Sequence, residues 1–136
     1  MSNRDFPTDA MELTTILVVR DIEASKRFYI EGLGGELYRE YGGTSVVVRF
    51  LSNWILLVTG GGPTEDKPNI SFAEPTDLQK VDHSFTIRVP DCGAAYDTLI
   101  QRGILFLTPP VEYEWEIRAF FRDPDGHLFE ISETRA

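Results

Sequence analysis

Two stretches of this chain, TTILVVRDIEASKRFY at residues 14–29 and SFTIRVPDCGAAYDTL at residues 84–99, align without a gap at an offset of 70 residues. In this alignment Val19 matches Val89, and Asp21 matches Asp91. Each stretch starts as an apolar run, reaches the aspartate and continues with apolar residues at helical spacing. An aspartate at that point predicts a helix N-cap, because its carboxylate can accept from backbone N–H groups of the first turn. The duplication therefore predicts a strand followed by a helix, twice.

The segments after the two predicted helices are also similar to each other. The helices are expected to end at Gly34-Gly35 and at Gly103, since glycine commonly terminates a helix. Three short strand-like runs come after each one: GELYREYG, TSVVVRFL and NWILLVTG in the first copy, and ILFLT, YEWEIRAFFR and HLFEISE in the second. The order β-α-β-β-β, written twice, predicts an α+β fold of two modules. We place the modules at about 13–59 and 81–133, joined by a linker at 60–80, and expect residues 1–136 to form a single domain.

Composition excludes several classes of partner. The chain has 136 residues and a formal net charge of −9, which argues against nucleic acid and anionic membranes because both require clustered basic residues. Its single cysteine, Cys92, cannot form an internal disulfide and fits a reducing compartment. No apolar run is long enough to cross a membrane, and the first residues show no secretory signal. We therefore expect a cytoplasmic protein.

Two motifs of this chain resemble a known superfamily. The stretch VVRDIEASKRFYIEGLGG, at residues 18–35, and the stretch FRDPDGHLFEISE, at residues 121–133, are similar to the vicinal oxygen chelate superfamily. This superfamily includes glyoxalase I, bleomycin-resistance proteins, fosfomycin-resistance proteins and extradiol dioxygenases. The resemblance runs from about Leu13 to Glu133. It implies the glyoxalase/bleomycin-resistance/dioxygenase fold, in which two modules form a curved mixed sheet around a cup, and it implies a homodimer.

Enzymes of this superfamily usually hold a divalent metal ion on the first and last strands of each module. The resemblance places the four ligand positions at Thr14, at Leu56 (or Leu57, if the register differs by one), at Ser84 and at Glu130. Only Glu130 is of a residue type that commonly binds such metals. We therefore predict no bound metal and no other cofactor, with a divalent metal as the alternative.

Two histidines could change that prediction. His83 precedes Ser84 by one residue, and side chains alternate across a strand, so we expect its ring on the opposite face. His127 lies three residues before Glu130 and is expected on the opposite face as well. His83 and Glu130 remain the candidate metal ligands if a bulge turns the histidine inward.

In the predicted strand at residues 84–89, Ser84, Thr86 and Arg88 share one polar face. The resemblance implies that this face lines the cup. An isolated carboxylate in an apolar pocket would take up a proton or find a cation, so we expect Glu130 to pair with Arg88 or Arg118. Glu130 is the candidate catalytic residue. The candidate ligand-binding residues are Ser84, Thr86, Arg88, Arg118, Thr14, Trp54 and Trp115.

Three functions are compatible with these observations. The first is a small-molecule-binding protein with a degenerate metal site, like the bleomycin-resistance branch, which sequesters its ligand. The second is an enzyme, either a metal-dependent lyase, isomerase or dioxygenase with a displaced site, or a metal-free catalyst that uses Glu130 as a base. The third is a domain that keeps only the scaffold. In each case the expected partners are a small molecule and a second copy of the chain.

Overall fold

A computed structural model describes residues 5–135 of the chain. The first module contains β1 (Thr14–Val19), α1 (Ile22–Lys26), a π-helical continuation (Arg27–Gly32), β2 (Glu36–Tyr41), β3 (Ser45–Phe50) and β4 (Asn53–Thr59). The second contains β5 (Phe85–Arg88), α2 (Cys92–Gln101), β6 (Val111–Glu112), β7 (Glu116–Arg122) and β8 (Leu128–Thr134).

Each module forms one four-stranded mixed sheet. The strand order is β1-β4-β3-β2 in the first sheet and β5-β8-β7-β6 in the second. In both sheets the first strand pairs in parallel with the last, and the other pairs are antiparallel. The predicted α+β class, with two β-α-β-β-β modules, is confirmed.

The helix boundaries agree with the predicted caps. The Asp21 carboxylate accepts from the backbone N–H groups of Glu23 and Ala24, and the Asp91 carboxylate accepts from that of Ala94. Gly34 and Gly103 come after the two helical segments with φ angles of +83° and +88°. Those angles favour glycine because it lacks a Cβ atom.

One predicted strand is wrong. The segment ILFLT, at residues 104–108, forms bends with a single bridge from Phe106 to Phe121, and the strand that pairs with β7 is the two-residue β6. Phe106 packs against the rings of Tyr96 and Phe121, at centroid distances of 4.8 and 5.1 Å. Two prolines come directly after this segment, and proline has no N–H group to donate to a sheet ladder.

The two modules share one hydrophobic core. The ring of Tyr29, from the first module, lies 6.0 Å from that of Phe129, and the ring of Phe28 lies 6.2 Å from that of Phe121. One face of each sheet and one side of each helix contribute the remaining core residues, which include Leu17, Val19, Val48, Leu57, Leu99, Ala119 and Ile131. Burial of this apolar surface holds the two modules together through the core-facing sides of their sheets.

A buried carboxylate strengthens the joint between the modules. Asp123, in the turn between β7 and β8, accepts from the Tyr29 hydroxyl at 2.7 Å through Oδ2. Its Oδ1 accepts from the backbone N–H groups of Asp125 and His127, at 2.9 and 2.8 Å. Burial raises the pKa of Asp123, while the charge of His127 and the Tyr29 hydroxyl act in the opposite direction. Burial also raises the pKa of Tyr29, so its hydroxyl stays protonated and acts as the hydrogen-bond donor to Asp123.

Two further contacts fasten the same turn to the end of β1. Arg20 donates to Asp125 Oδ1 through its backbone N–H at 3.0 Å and through Nε at 3.1 Å. His127 Nε2 lies 2.8 Å from the carbonyl oxygen of Val18, which can only accept, so Nε2 donates. These contacts link residues more than a hundred positions apart and fix β8 relative to the first module.

The linker is held against the same turn. Arg122 donates to the carbonyl oxygens of Leu78 and Gly126, at 2.5 and 3.1 Å. The Leu78 side chain fills the position that a Cβ atom at Gly126 would occupy. A side chain at position 126 would therefore have to displace the side chain of Leu78. No helix within residues 5–135 has the length and apolar character needed to span a membrane.

We expect Tyr29→Phe to lower the free energy of unfolding by about 1–3 kcal/mol, because it leaves a buried carboxylate oxygen without its donor. Because the pKa of Asp123 is raised in the folded protein, this carboxyl group stabilises the fold fully at pH values below its ordinary pKa. That stabilisation is lost as the pH rises through the raised pKa. The lost hydroxyl is one of the groups that lower the pKa of Asp123. The destabilisation should therefore be larger at pH 7 than at pH 4.

Urea denaturation of the wild type and Tyr29→Phe at both pH values checks this expectation. Tyr113→Phe is the matched control, since Tyr113 is exposed. Equal losses in the two variants, or a larger loss at pH 4, would contradict the account of the joint.

Candidate functional site

The face of each sheet that turns away from the shared core is largely open to solvent, although Ser132 on β8 is fully buried. Strand alternation assigns the side chains to it: in β8, for example, Phe129 and Ile131 are buried in the core, whereas Glu130 is only half-buried. The first face includes Thr14, Ile16, Tyr38, Arg39, Tyr41, Val47, Arg49, Trp54 and Leu56. The second face consists of Thr86, Arg88, Glu116, Arg118, Phe120, Glu130 and Ser132.

The first face is mainly aromatic and apolar, with Arg39 and Arg49 stacked against its rings, and its central residue is Trp54. The Trp54 indole N–H donates to the carboxylate of Glu12. Tyr38 meets the indole edge-on, with ring centroids 4.8 Å apart, and the guanidinium of Arg49 lies 4.2 Å from its centroid. These contacts fix the indole at the side of a groove of about 400 Å³, whose lining residues are Glu12, Thr14, Tyr38, Tyr41, Val47, Trp54 and Leu56. Such a groove suits a flat apolar group.

The second face is polar and consists of two rows that run across three strands. Pairing of β5 with β8 places Thr86 beside Glu130, and pairing of β8 with β7 places Phe120 on its other side. The next row along the strands, by the same pairings, is Arg88, Ser132 and Arg118.

Glu130 does not pair with an arginine, so that expectation was wrong. Thr86 donates to Glu130 Oε1 at 2.7 Å, while Oε2 is buried without a hydrogen-bond partner. Within residues 5–135, no basic group forms an ion pair with Glu130. The parallel register is the reason, because it sets a threonine, and not Arg88, opposite the glutamate.

The second row is connected through Glu116. Arg88 Nη1 donates to Ser132 Oγ at 2.8 Å, and Ser132 Oγ donates to Glu116 Oε1 at 2.7 Å. Arg88 Nη1 and Arg118 Nη1 lie 4.0 and 3.5 Å from the two oxygens of Glu116. Arg118 also stacks over Tyr113, with its guanidinium carbon 4.6 Å from the ring centroid. The row therefore holds two guanidinium groups beside one hydroxyl and one carboxylate.

The four positions that the resemblance assigned to metal ligands lie on both sheets. Leu56 pairs with Ile16 in the first sheet as Glu130 pairs with Thr86 in the second, so Leu56, and not the buried Leu57, matches Glu130. Thr14 and Ser84 are exposed, two residues before these pairs. A hydrocarbon, two hydroxyls and one carboxylate do not fit the donor set that a divalent metal requires. Residues 5–135 contain no cluster of three or more histidine, cysteine or acidic side chains that could hold a metal.

The other candidates lie apart from the two rows. Trp115 precedes β7 and is 70% exposed, and it is not among the groove residues around Trp54. His83 is exposed, with Nδ1 2.7 Å from Asp82 Oδ1. It lines a cavity of about 280 Å³ between the linker and the turn at Asp123, which also contains His127 and not Glu130.

The roles of two residues in the arrangement of the site and the fold were missed from the sequence. Glu116 connects the arginines of the second face, and only the register of β7 with β8 reveals it. His127 was expected only to lie on the face opposite Glu130, but it is also buried and donates to β1. The run DPDGH signals a turn, yet nothing local indicates a partner that is 109 residues away.

Comparison with known proteins agrees with this geometry. The family sequence model of the Glyoxalase/Bleomycin resistance protein/Dioxygenase superfamily matches residues 12–131 of this chain. The chain belongs to this superfamily. A comparison with curated proteins found no match.

Solved structures show the same fold. A glyoxalase/bleomycin resistance protein/dioxygenase from Alicyclobacillus acidocaldarius superposes with a TM-score of 0.71 and 19% identity, covering 96% of each chain. TnmS3, an antibiotic binding protein from Streptomyces sp. CB03234, has a TM-score of 0.64 and 21% identity, covering 92% of this chain and 96% of its own. A lactoylglutathione lyase from Agrobacterium tumefaciens has a TM-score of 0.67 and 18% identity, covering 93% of this chain and 95% of its own. The fold therefore accommodates both binding proteins and enzymes.

Proposed function

We propose that this protein binds a small organic molecule without a metal ion, in a cup that two copies of the chain complete together. The observation that carries the proposal is the contrast between the two open faces. The first offers a rigid indole in an apolar groove, and the second offers polar groups in fixed rows. Ligand sites commonly combine an apolar wall with a few placed polar groups.

The donor set supports binding without a metal. With Leu56 and Thr14 in the first module, a metal held at Glu130 would have one carboxylate and the hydroxyls of Thr14 and Ser84. Oxygen-rich sites for hard cations use several carboxylates or carbonyls, and transition-metal sites use histidine or cysteine. TnmS3, whose name describes an antibiotic binding protein, is a neighbour of the same fold and is compatible with this function.

The second copy is supported by the exposure of the first face. Ile16, Tyr38 and Tyr41 are 44%, 61% and 51% exposed, although all three side chains are large and mainly apolar. Large exposed apolar patches usually mark an interaction site. Because both modules have the same strand order, a two-fold axis can set the first face of one copy opposite the second face of the other. Each dimer would then contain two cups.

Divalent metals should leave the thermal midpoint of the wild-type protein unchanged. A ligand that binds the folded state raises the midpoint by mass action, so a metal that finds no donor set produces no shift. The measurement is a thermal melt with zinc, nickel, manganese or iron(II) added in excess over the protein. The triple variant Thr14→His, Leu56→Glu, Ser84→His supplies three donors on the same positions and should show a shift. A clear rise in the wild type would favour the metal-dependent enzyme.

Sedimentation equilibrium should give twice the mass of one chain. Tyr38→Lys places a charge on the exposed apolar face and should shift the equilibrium towards the monomer, because desolvation of an unpaired charge opposes association. Glu114→Lys, at an exposed position outside the two faces, is the control and should remain dimeric. A wild type that sediments as a monomer at all concentrations would rule out the two-copy cup.

The neutral aromatic probe 2-naphthamide should quench the fluorescence of Trp54. We expect Trp54→Ala to abolish its binding, since the indole is the largest flat surface of the groove. Trp115→Phe removes the other tryptophan and should retain binding, so that the remaining signal reports on Trp54 alone. Isothermal titration calorimetry, which does not need the indole, compares the two variants: if Trp54→Ala binds the probe as tightly as Trp115→Phe does, the first face is not the ligand site.

A further inference from the structure

We propose that Arg88, Ser132 and Arg118 form an anion cradle, which binds a carboxylate or similar oxyanion of the molecule held in the cup. This inference rests on the proposed function and specifies its ligand as an anionic one. The cradle spans three adjacent strands, with Ser132 on β8 between the two arginines.

Comparison of the two modules shows that the fold does not require these arginines. The positions in the first sheet that match Arg88 and Ser132 are Val18 and Val58, which pair with each other as the arginine and the serine do. The third position, opposite Val58, is Ser45. The same scaffold is therefore complete with small or apolar residues in this row. A structural need common to both modules cannot explain two guanidinium groups in the second one.

The guanidinium groups retain most of their hydrogen-bonding capacity. A guanidinium has five N–H donors in a planar fork. Arg88 uses Nη1 towards Ser132, and its side chain is 65% exposed. Arg118 makes no hydrogen bond to residues 5–135, and its 3.5 Å contact with Glu116 is an ion pair only. By contrast, Arg102 donates to the carbonyl oxygen of Gly32, as Arg122 does to that of Leu78, so those two side chains fasten backbone.

The arginines are also held in place before any ligand arrives. Arg118 stacks over the rings of Tyr113 and Phe120, at 4.6 and 5.5 Å, and Arg88 is fixed by Ser132. Pre-organised guanidinium forks favour bidentate binding of carboxylate and phosphate groups. Little side-chain freedom is then lost on binding.

Glu116 shows where an anion is accommodated in the cradle. Its Oε1 accepts from Ser132 at 2.7 Å, and its two oxygens face both arginines at 4.0 and 3.5 Å. A ligand carboxylate would compete with this carboxylate for the same three groups. Glu130, the other acid of the face, accepts from Thr86 in the neighbouring row through Oε1 only. Removal of the Glu116 charge should therefore strengthen the binding of an anion.

The test compares 2-naphthoate with 2-naphthamide, which share the aromatic group and differ in charge, in the Trp115→Phe background. We expect 2-naphthoate to bind about tenfold more tightly, since hydrogen bonds to charged groups contribute more than neutral ones. Arg88→Gln and Arg118→Gln should each reduce that preference, and Glu116→Gln should increase it. High salt should weaken the naphthoate but not the naphthamide.

Two controls match the charge changes at exposed positions outside the cradle. Arg27→Gln lies on the π-helical segment and Glu114→Gln precedes β7, and neither should alter the ratio of the two dissociation constants. Equal binding of both probes, with no effect of Glu116→Gln, would overturn the anion cradle and leave the proposed function standing. Binding of neither probe would overturn both.

Discussion

The carboxylate of Asp123 is buried where the two modules meet, and the relative position of their strands depends on the groups around it. Tyr29 reaches it from the first module, while two backbone N–H groups hold it within its own turn. In the same turn, Asp125 accepts from Arg20, and His127 donates to the carbonyl oxygen of Val18 in β1. Such a network is costly when one member is missing, because a buried carboxylate without donors is strongly disfavoured. It therefore specifies a single way of docking the modules, in addition to the apolar core that both provide.

Because the modules are joined through the core faces of their sheets, this joint determines which faces can bind a ligand. The core side of both sheets is taken up by packing, so their opposite faces are available to a ligand or a second copy. The duplicated halves have the same strand order but present different chemistry on these faces. Ile16 and Leu56 stand in the first sheet where Thr86 and Glu130 stand in the second. An apolar wall and a polar wall together can orient a molecule that has an aromatic part and a charged part, which neither wall could do alone.

Much of the fold could be predicted from local signals in the sequence. The aspartate caps, the terminal glycines and the polar face of β5 around Thr86 all reflect short-range sterics and hydrogen bonding. The sequence left open whether Leu56 or Leu57 matches Glu130. Only the register of β1 with β4 identifies Leu56 as the match, with Leu57 in the core. The pairing of Glu130 with an arginine was wrong for the same reason, since the spacing between paired strands is 44 residues in the second module and no sequence pattern fixes it. The role of His127 depends on a still longer-range contact.

In the proposed dimer, each cup is built from the first face of one copy and the second face of the other. Trp54→Ala chains lack the first face, and chains with both Arg88→Gln and Arg118→Gln lack the cradle. Mixed dimers of the two, isolated by different affinity tags, would contain one cup with both defects and one cup with none. The account predicts that they regain tight 2-naphthoate binding at half the wild-type stoichiometry, although neither parent dimer binds tightly. Mixed dimers that bind no better than their parents would contradict it.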